Sequence, residues 1–250
     1  MKKQFYIGGI FILSYIVFLI ATLPTTVLLK QVKLPKNIGV YGVTGTIWQT
    51  DVEQLIVDNI AIKSLNAQLS FWSLFTLKPQ LAITFGDSFV AGPEGEFTLT
   101  LSQQKAKISQ LNAVVKANNI AQKLPLPLPI TAQGDVELNL ANAEFDLSKG
   151  SRCSAVNGTA QWTKAGVEAL EQKVKLGNLQ ADIACEKGAL SLNILPNNDL
   201  GLTFNALMRP NGKMSGNGYL KPGAKFPRAL NDVLPFLGKK DSQGRYRLYF

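Results

Sequence analysis

From Pro35 onward, apolar and polar residues alternate in short runs that end at Gly, Asn or Pro, and this period of two restricts the fold more than any other feature. Leu65, Ala67, Leu69 and Phe71 alternate with Asn66, Gln68 and Ser70; Leu55, Val57 and Asn59 alternate with Ile56, Asp58 and Ile60. The rhythm returns in Leu81–Phe85, Phe97–Leu101, Val136–Leu140, Leu190–Ile194 and Leu202–Phe204. Successive strand side chains point to opposite faces, so each run is predicted to be a half-buried strand. Gly86-Asp87, Gly92–Gly95 and Pro196–Asp199 lie where hairpins are expected to reverse. Gln103–Val115 and Val167–Val174 are also read as strand. Short helices are expected at Asn118–Leu124 and Pro227–Leu237, the latter limited by Pro235 and ended by Gly238. The predicted class is mostly β: a curved antiparallel sheet or groove, or a sandwich, with few short helices.

Ahead of this region, Phe5–Leu23 carries no charge, and at ~1.5 Å per residue it nearly spans a hydrocarbon core of ~30 Å. It is expected to be a single transmembrane helix. Ala21-Thr22-Leu23-Pro24 has no A-x-A cleavage pattern, so an uncleaved anchor is expected. Residues 1–4 then form a tail, 24–38 a juxtamembrane linker, 39–123 a first β half, 124–130 a Pro-rich join (LPLPLP) and 131–250 a second β half. Lys2 and Lys3 face Lys30, Lys33 and Lys36 across the run, so flanking charge does not decide orientation. Cys153 and Cys185 are the two cysteines, both in strand-like segments. Bonded, they close a loop for which the chain-entropy model gives about 3 to 4 kcal/mol, in an oxidising compartment; two buried thiols in a cytosolic domain are the alternative.

The net charge of +9 is bipolar: about +5 over residues 1–36, −3 over 37–204 and +7 over 205–250. A nucleic-acid domain is not built this way. Basic ends, with Lys239, Lys240, Arg245 and Arg247 at the second, suit anionic headgroups or an acidic partner. Histidine is absent, which removes Ser/His and Cys/His nucleophile pairs and ordinary zinc sites. Glu94 and Glu96 would share one face of a strand, but GPEGE reads as a turn; Asp51, Glu53 and Asp58 lack calcium-loop spacing. No cofactor is expected.

Gly39, Gly42 and Gly45 resemble a phosphate loop only in composition, because no lysine and no helix follow. They are expected to serve turns or close packing, with Trp48 in the core. Val43–Trp48 is echoed, with one extra residue, by Val156–Trp162, suggesting a duplicated strand motif.

The order of features is distinctive: a basic N-terminus, an apolar run, then Gly45-Thr46-Ile47-Trp48 and Phe71-Trp72 leading through Pro79 into Leu81. There follow Cys153, Gly158-Thr159, Trp162, Leu176-Gly177, Cys185, Gly188, Leu190, Leu237-Gly238, Asp241, Gly244, Arg245 and Tyr246. Over most of its length the chain resembles the protein N family of the bacterial type II secretion system. The family's opening motif usually continues W-x-G, whereas Thr50 stands here. The resemblance implies a non-enzymatic inner-membrane accessory subunit, N-terminus cytoplasmic and bulk periplasmic, working as a scaffold with other secretion subunits. Repeated strand motifs also resemble the β-groove proteins of envelope lipid transport, which implies lipid as a ligand of an apolar groove.

Overall fold

Alternating runs joined by short reversals leave each strand beside its predecessor, and the chain follows this rule from end to end. The computed structural model describes residues 2–31, 34, 37–57, 60–87, 90–122, 130–148, 150–169 and 172–249. Its strands are β1 (Ile38–Thr46), β2 (Gln49–Val57), β3 (Ile60–Leu69), β4 (Gln80–Asp87), β5 (Val90–Leu101), β6 (Lys105–Lys116) and β7 (Thr131–Asp146). They continue as β8 (Arg152–Ala169), β9 (Gln172–Glu186), β10 (Ala189–Ile194), β11 (Leu202–Met208), β12 (Met214–Leu220) and β13 (Tyr246–Tyr249). All pair antiparallel in chain order within one 13-stranded sheet. Of the two predicted arrangements the sheet is observed; a sandwich is not formed among the described residues. Helices are few: α1 (Lys2–Ala21), α2 (Thr25–Leu29), α3 (Phe71–Phe75), α4 (Ala117–Ala121) and a 3₁₀ helix at Arg228–Leu237.

Residues directly opposite in an antiparallel pair project to the same face, so the register defines rows across the sheet. One row runs Thr44, Asp51, Asn66, Thr84, Glu96, Asn112 and Asn139. It continues through Thr159, Asp182, Asn193, Asn205 and Asn217 to Tyr249. The adjacent row, on the other face, includes Phe85, Gly95, Ala113, Leu138, Ala160, Ala181, Ile194 and Phe204. One row across the sheet is therefore mainly polar, and its neighbour on the other face is largely apolar. Asn66 Nδ2 donates to Asp51 Oδ1 at 2.6 Å, and Asn205 Nδ2 to Asn193 Oδ1 at 2.5 Å, so parts of the polar row bond along themselves.

The sheet runs unbroken from β6 to β7, paired from Lys105↔Asp146 to Lys116↔Asp135. Ion pairs Lys105–Glu144 (2.6 Å) and Lys116–Asp135 (2.7 Å) lie near the ends of that ladder. The hydrogen bond from Lys105 to Glu144 holds the Lys105 ammonium above its ordinary value. The Pro-rich stretch Leu124–Pro129 lies outside the described residues, as does Asp58-Asn59.

Three sequence expectations are corrected. Gly92–Gly95 is not a reversal but lies inside β5. Between the pairs Phe85↔Gly95 and Asp87↔Val90 the register shifts, and this bulge accommodates Pro93, which has no N–H to give a regular ladder. Phe71 does not extend the alternation of β3; it opens α3, because Ser73 supplies local hydrogen bonds that replace the ladder. The hydroxyl of Ser73 donates to Ser70 O at 2.5 Å and accepts from Gln80 N at 2.9 Å. The echoed motifs do not occupy equivalent places: Val43–Trp48 ends at the β1–β2 turn, whereas Val156–Trp162 lies within β8.

A single layer cannot bury its apolar face against itself, and the main core forms where the C-terminal segment folds back. Ala165, Leu176 and Leu179 of β8 and β9 are buried with Leu200, Leu220, Phe226 and Tyr246; Leu230, Leu234 and Leu237 of the 3₁₀ helix pack on this cluster. The chain then closes a clasp. Asp241 Oδ1 accepts from Gln243 N and Arg245 N, both at 2.9 Å, and Asp241 Oδ2 pairs with the Arg245 guanidinium at 2.9 Å. Arg245 stacks 3.9 Å from the Tyr219 ring of β12, fixing the approach to β13. The backbone hydrogen bond from Arg245 holds the Asp241 carboxyl below its ordinary value.

Away from this core, Cys153 and Cys185 form a disulfide with Cα atoms 5.5 Å apart, tying β8 to the end of β9. Gly188 (φ +83°) and Lys187 (φ +50°) turn β9 into β10, a two-residue hairpin that needs positive φ at both positions.

Two outcomes are expected. The double variant Cys153→Ala/Cys185→Ala unfolds in urea with a stability lower by about 3 to 4 kcal/mol, and reductant moves the native chain by a similar amount. A carboxylate whose folded value is depressed stabilises above its unfolded value and loses that contribution as pH falls through the folded one. The protection factors of β13 amides, taken against the intrinsic exchange rate at each pH, are therefore expected to fall in the native chain only on acidification through the lowered Asp241 value, and to be low already at neutral pH in Asp241→Asn.

Candidate functional site

A site made by a sheet is a face, an edge or an end, and the residues singled out in the sequence distribute over these. The first group gathers at the corner where helix meets sheet. Gly45 and Thr46 end β1, and the pair Thr46↔Gln49 makes Ile47-Trp48 a tight two-residue turn. Thr50 keeps this turn: its hydroxyl donates to Thr46 O at 3.0 Å and lies 2.7 Å from the Thr25 hydroxyl. Pro24 bridges to Thr46, and Ile47 N donates to Leu23 O at 3.1 Å. Trp48 is not core as expected; it is half-buried, and its Nε1 donates to Ile20 O, 3.1 Å away at the end of α1. Its ring meets Phe71 at 5.4 Å, and Phe71 in turn meets Trp72 and Phe75 at 5.7 and 5.3 Å. Trp72 projects outward, 77% exposed.

A second group serves the core end. Trp162 packs on the core cluster and donates from Nε1 to Gln133 O at 2.8 Å. Gly158 lies where Leu140 and the Asn139 carbonyl approach too closely for any side chain. Gly177 faces the Asp199 carboxylate. Gly238 ends the 3₁₀ helix, Gly244 sits in the clasp turn and Tyr246 is buried in the core. Of the basic C-terminal residues, Arg245 is engaged by Asp241 and Tyr219, and Lys240 lies 5.4 Å from the Tyr246 ring; Lys239 and Arg247 are exposed. The structure does not bring these residues to one place. It uses them at turns, close approaches and ends.

The faces supply two open concavities. One, of about 630 Å³, lies over β4 to β8 and is lined mainly from the polar row and its neighbours, including Thr84, Glu96, Thr98, Asn112, Asn139 and Thr159. The other, of about 760 Å³, lies beside the disulfide end and carries Arg152, Lys187 and Arg209 with Glu186. Glu94 and Glu96 both lie on β5 and are exposed. Among the described residues no group of three or more His, Cys, Asp or Glu side chains is placed to hold a metal ion.

The edges are β1 and β13. Among the described residues β1 pairs on one side with β2 and on the other carries the Pro24 bridge at Thr46. Tyr41, midway along β1, is 57% exposed. Unpaired strand backbone is a template for another strand. At the N-terminal end, the described side chains of α1, from Tyr6 to Ala21, are exposed and almost all apolar. Among the described residues no helix is long and apolar enough to cross a membrane.

Sequence reasoning missed the outward cluster of α3. Its signal was present in FWSLFTL, Phe71–Leu77, an uncharged aromatic stretch between two strands.

Comparison with known proteins agrees with the motif order. The family model for type II secretion system protein N matches residues 36–249. A relative named type II secretion system protein N from Aeromonas hydrophila is 28% identical over 255 residues, covering 100% of this chain and 98% of its own. Its namesakes from Vibrio cholerae and Pectobacterium carotovorum are 25% and 27% identical, with 98% and 100% of this chain covered and 97% of each relative. No solved structure matches. The match spans the whole β region, from just before β1 to the end of β13, and on it the chain belongs to the type II secretion system protein N family.

Proposed function

We propose that this secretion-system component is a non-enzymatic scaffold of the inner membrane, anchored by Phe5–Leu23 with its N-terminus cytoplasmic and its sheet in the periplasm. The observation that carries the scaffold reading is the open sheet with edge strands at both ends. An open edge recognises another polypeptide through main-chain hydrogen bonds, and the polar row beside it offers side-chain partners at each strand. Other subunits of the secretion machinery are the proposed occupants of those edges. The placement in the membrane is supported by the uncharged run and by apolar side chains exposed all around α1, a pattern that water disfavours. The described side chains Tyr6–Ala21 alone are short of a span, and the anchor is the longer run Phe5–Leu23. The disulfide supports an oxidising compartment for the sheet. Lys239 and Arg247, exposed at the C-terminal end, are proposed to meet anionic headgroups or an acidic partner.

One observation favours a second reading, in which the apolar face carries lipid. A sandwich would bury that face against a second sheet, but Leu65, Phe85, Phe97, Leu111 and Leu138 remain only half-buried with no second sheet among the described residues.

In-cell photo-crosslinking from Tyr41 on β1 and Tyr249 on β13 separates the two. Capture of secretion subunits is the expected result; lipid co-purifying with the chain, with no subunit captured from either edge, transfers the assignment to the second reading. For the anchor, Ile12→Arg combined with Val17→Arg, each costing about 2.5 to 3.5 kcal/mol in an inserted helix, is expected to release the chain into alkaline carbonate while the native chain stays with the membrane. Retention of both, or release of both, counts against Phe5–Leu23 as the anchor.

A further inference from the structure

We propose that the loop Phe71–Leu77, which contains α3, is a second membrane contact: its aromatic and leucine side chains enter the headgroup and acyl boundary of the bilayer beside α1. This rests on the reading of Phe5–Leu23 as an anchor and extends it to the orientation of the sheet.

Three observations carry it. The first is an inversion of ordinary surface chemistry. Trp72, Phe75 and Leu77 are 77, 70 and 81% exposed, while the polar Ser73 in their midst is buried. A soluble turn places these groups the other way round, and a contiguous exposed apolar patch marks an interaction surface.

The second is that the side chains of Ser73 and Thr76 are hydrogen-bonded within the loop and to the residues flanking it, which eases entry into a poorly hydrated layer. Ser73 Oγ is used as donor and acceptor by Ser70 and Gln80. Ser73 O accepts from the Thr76 hydroxyl at 2.8 Å and from Thr76 N and Lys78 N at 3.3 Å, while Leu77 N donates to Leu74 O at 3.1 Å. Lys78, exposed where the loop returns to β4, places a cation at the depth of lipid phosphates.

The third is position, and it selects the bilayer as occupant. Phe71 contacts Trp48, whose indole nitrogen is bonded to the carbonyl of Ile20 at the end of α1. The aromatic contacts thus run from the apolar helix end through Trp48 to Phe71 and on to Trp72 and Phe75, which places the loop beside that end. Trp side chains favour this layer, where an apolar ring and a polar N–H both find partners.

The test uses the full chain reconstituted in phosphatidylethanolamine and phosphatidylglycerol vesicles. Trp48→Phe with Trp162→Phe leaves Trp72 as the reporter, read with lipids brominated near the headgroup end or deep in the acyl chain. Trp72 emission is expected to be blue-shifted and to lose about half its intensity to the shallow quencher, less to the deep one. The quenching lost on Trp72→Phe in the otherwise native chain reads the same contact without disturbing Trp48. If the chain resists alkaline carbonate while Trp72 emits as in water and is unquenched, the loop proposal is overturned and the anchor stands. If carbonate releases the chain but Trp72 is quenched on the vesicles, the loop contact stands and the anchor fails. A blue shift that needs high protein-to-lipid ratio and is insensitive to brominated lipid assigns the patch to a second copy or another protein, and overturns the proposal.

Discussion

The structure depends on one constraint, the sequential antiparallel register that keeps like faces together across thirteen strands. Because the side-chain period is two, a slip of one residue in any pair would exchange polar for apolar from that strand onward. The row from Thr44 to Tyr249 escapes this exchange even though β4–β5, β5–β6, β7–β8 and β8–β9 carry bulges. Each irregularity is absorbed between row positions, as where β5 holds four residues against one of β4 around Pro93. Bulges bend and twist a sheet without changing which face is apolar.

A single open layer meets the needs of stability only if its ends are secured, and the chain secures them unequally. At the C-terminal end the 3₁₀ helix packs on the cluster of β8 and β9 residues that forms the principal core, and the Asp241–Arg245 clasp leads the chain into β13. The disulfide holds the other end of the same long hairpin, where burial is thin. At the N-terminal end the sheet has little core to rest on. Its support is the corner formed by Leu23, Pro24, Ile47 and Trp48, which joins the apolar helix to β1. The two ends are thus secured by different means, burial and the clasp at one and helix-to-turn hydrogen bonds at the other.

The residues that carry the family likeness have a common physical role. They stand at points where backbone geometry is tight: the β1–β2 turn at Gly45–Trp48, the close approach at Gly158, the hairpin at Gly188, and the clasp around Gly244. None of this requires a reactive centre. A motif of spaced glycines and tryptophans here describes how a meander turns and packs.

The sequence by itself determined the strands, since alternation is local and each run of two-residue period became a strand where the chain is described. It pointed to a bond between the two cysteines with two free thiols as the alternative, to the family through the order of its motifs, and to few short helices in the β region. It also carried the short C-terminal helix through Pro227, Pro235 and Gly238, though as a 3₁₀ rather than an α form. Only the tertiary structure decided what depends on partners distant in the chain. The Pro93 stretch became strand because β4 could bulge around it, and Phe71 left the strand because Ser73 offered nearer hydrogen bonds. Val43–Trp48 and Val156–Trp162 read alike but diverged, because one meets the end of a helix and the other lies within a wide sheet against the core. The choice of a single layer over a sandwich and the outward face of Trp72 were likewise invisible locally. Alternation states that a strand has two unlike faces; which surface covers each is settled by the rest of the molecule and by what lies beyond it.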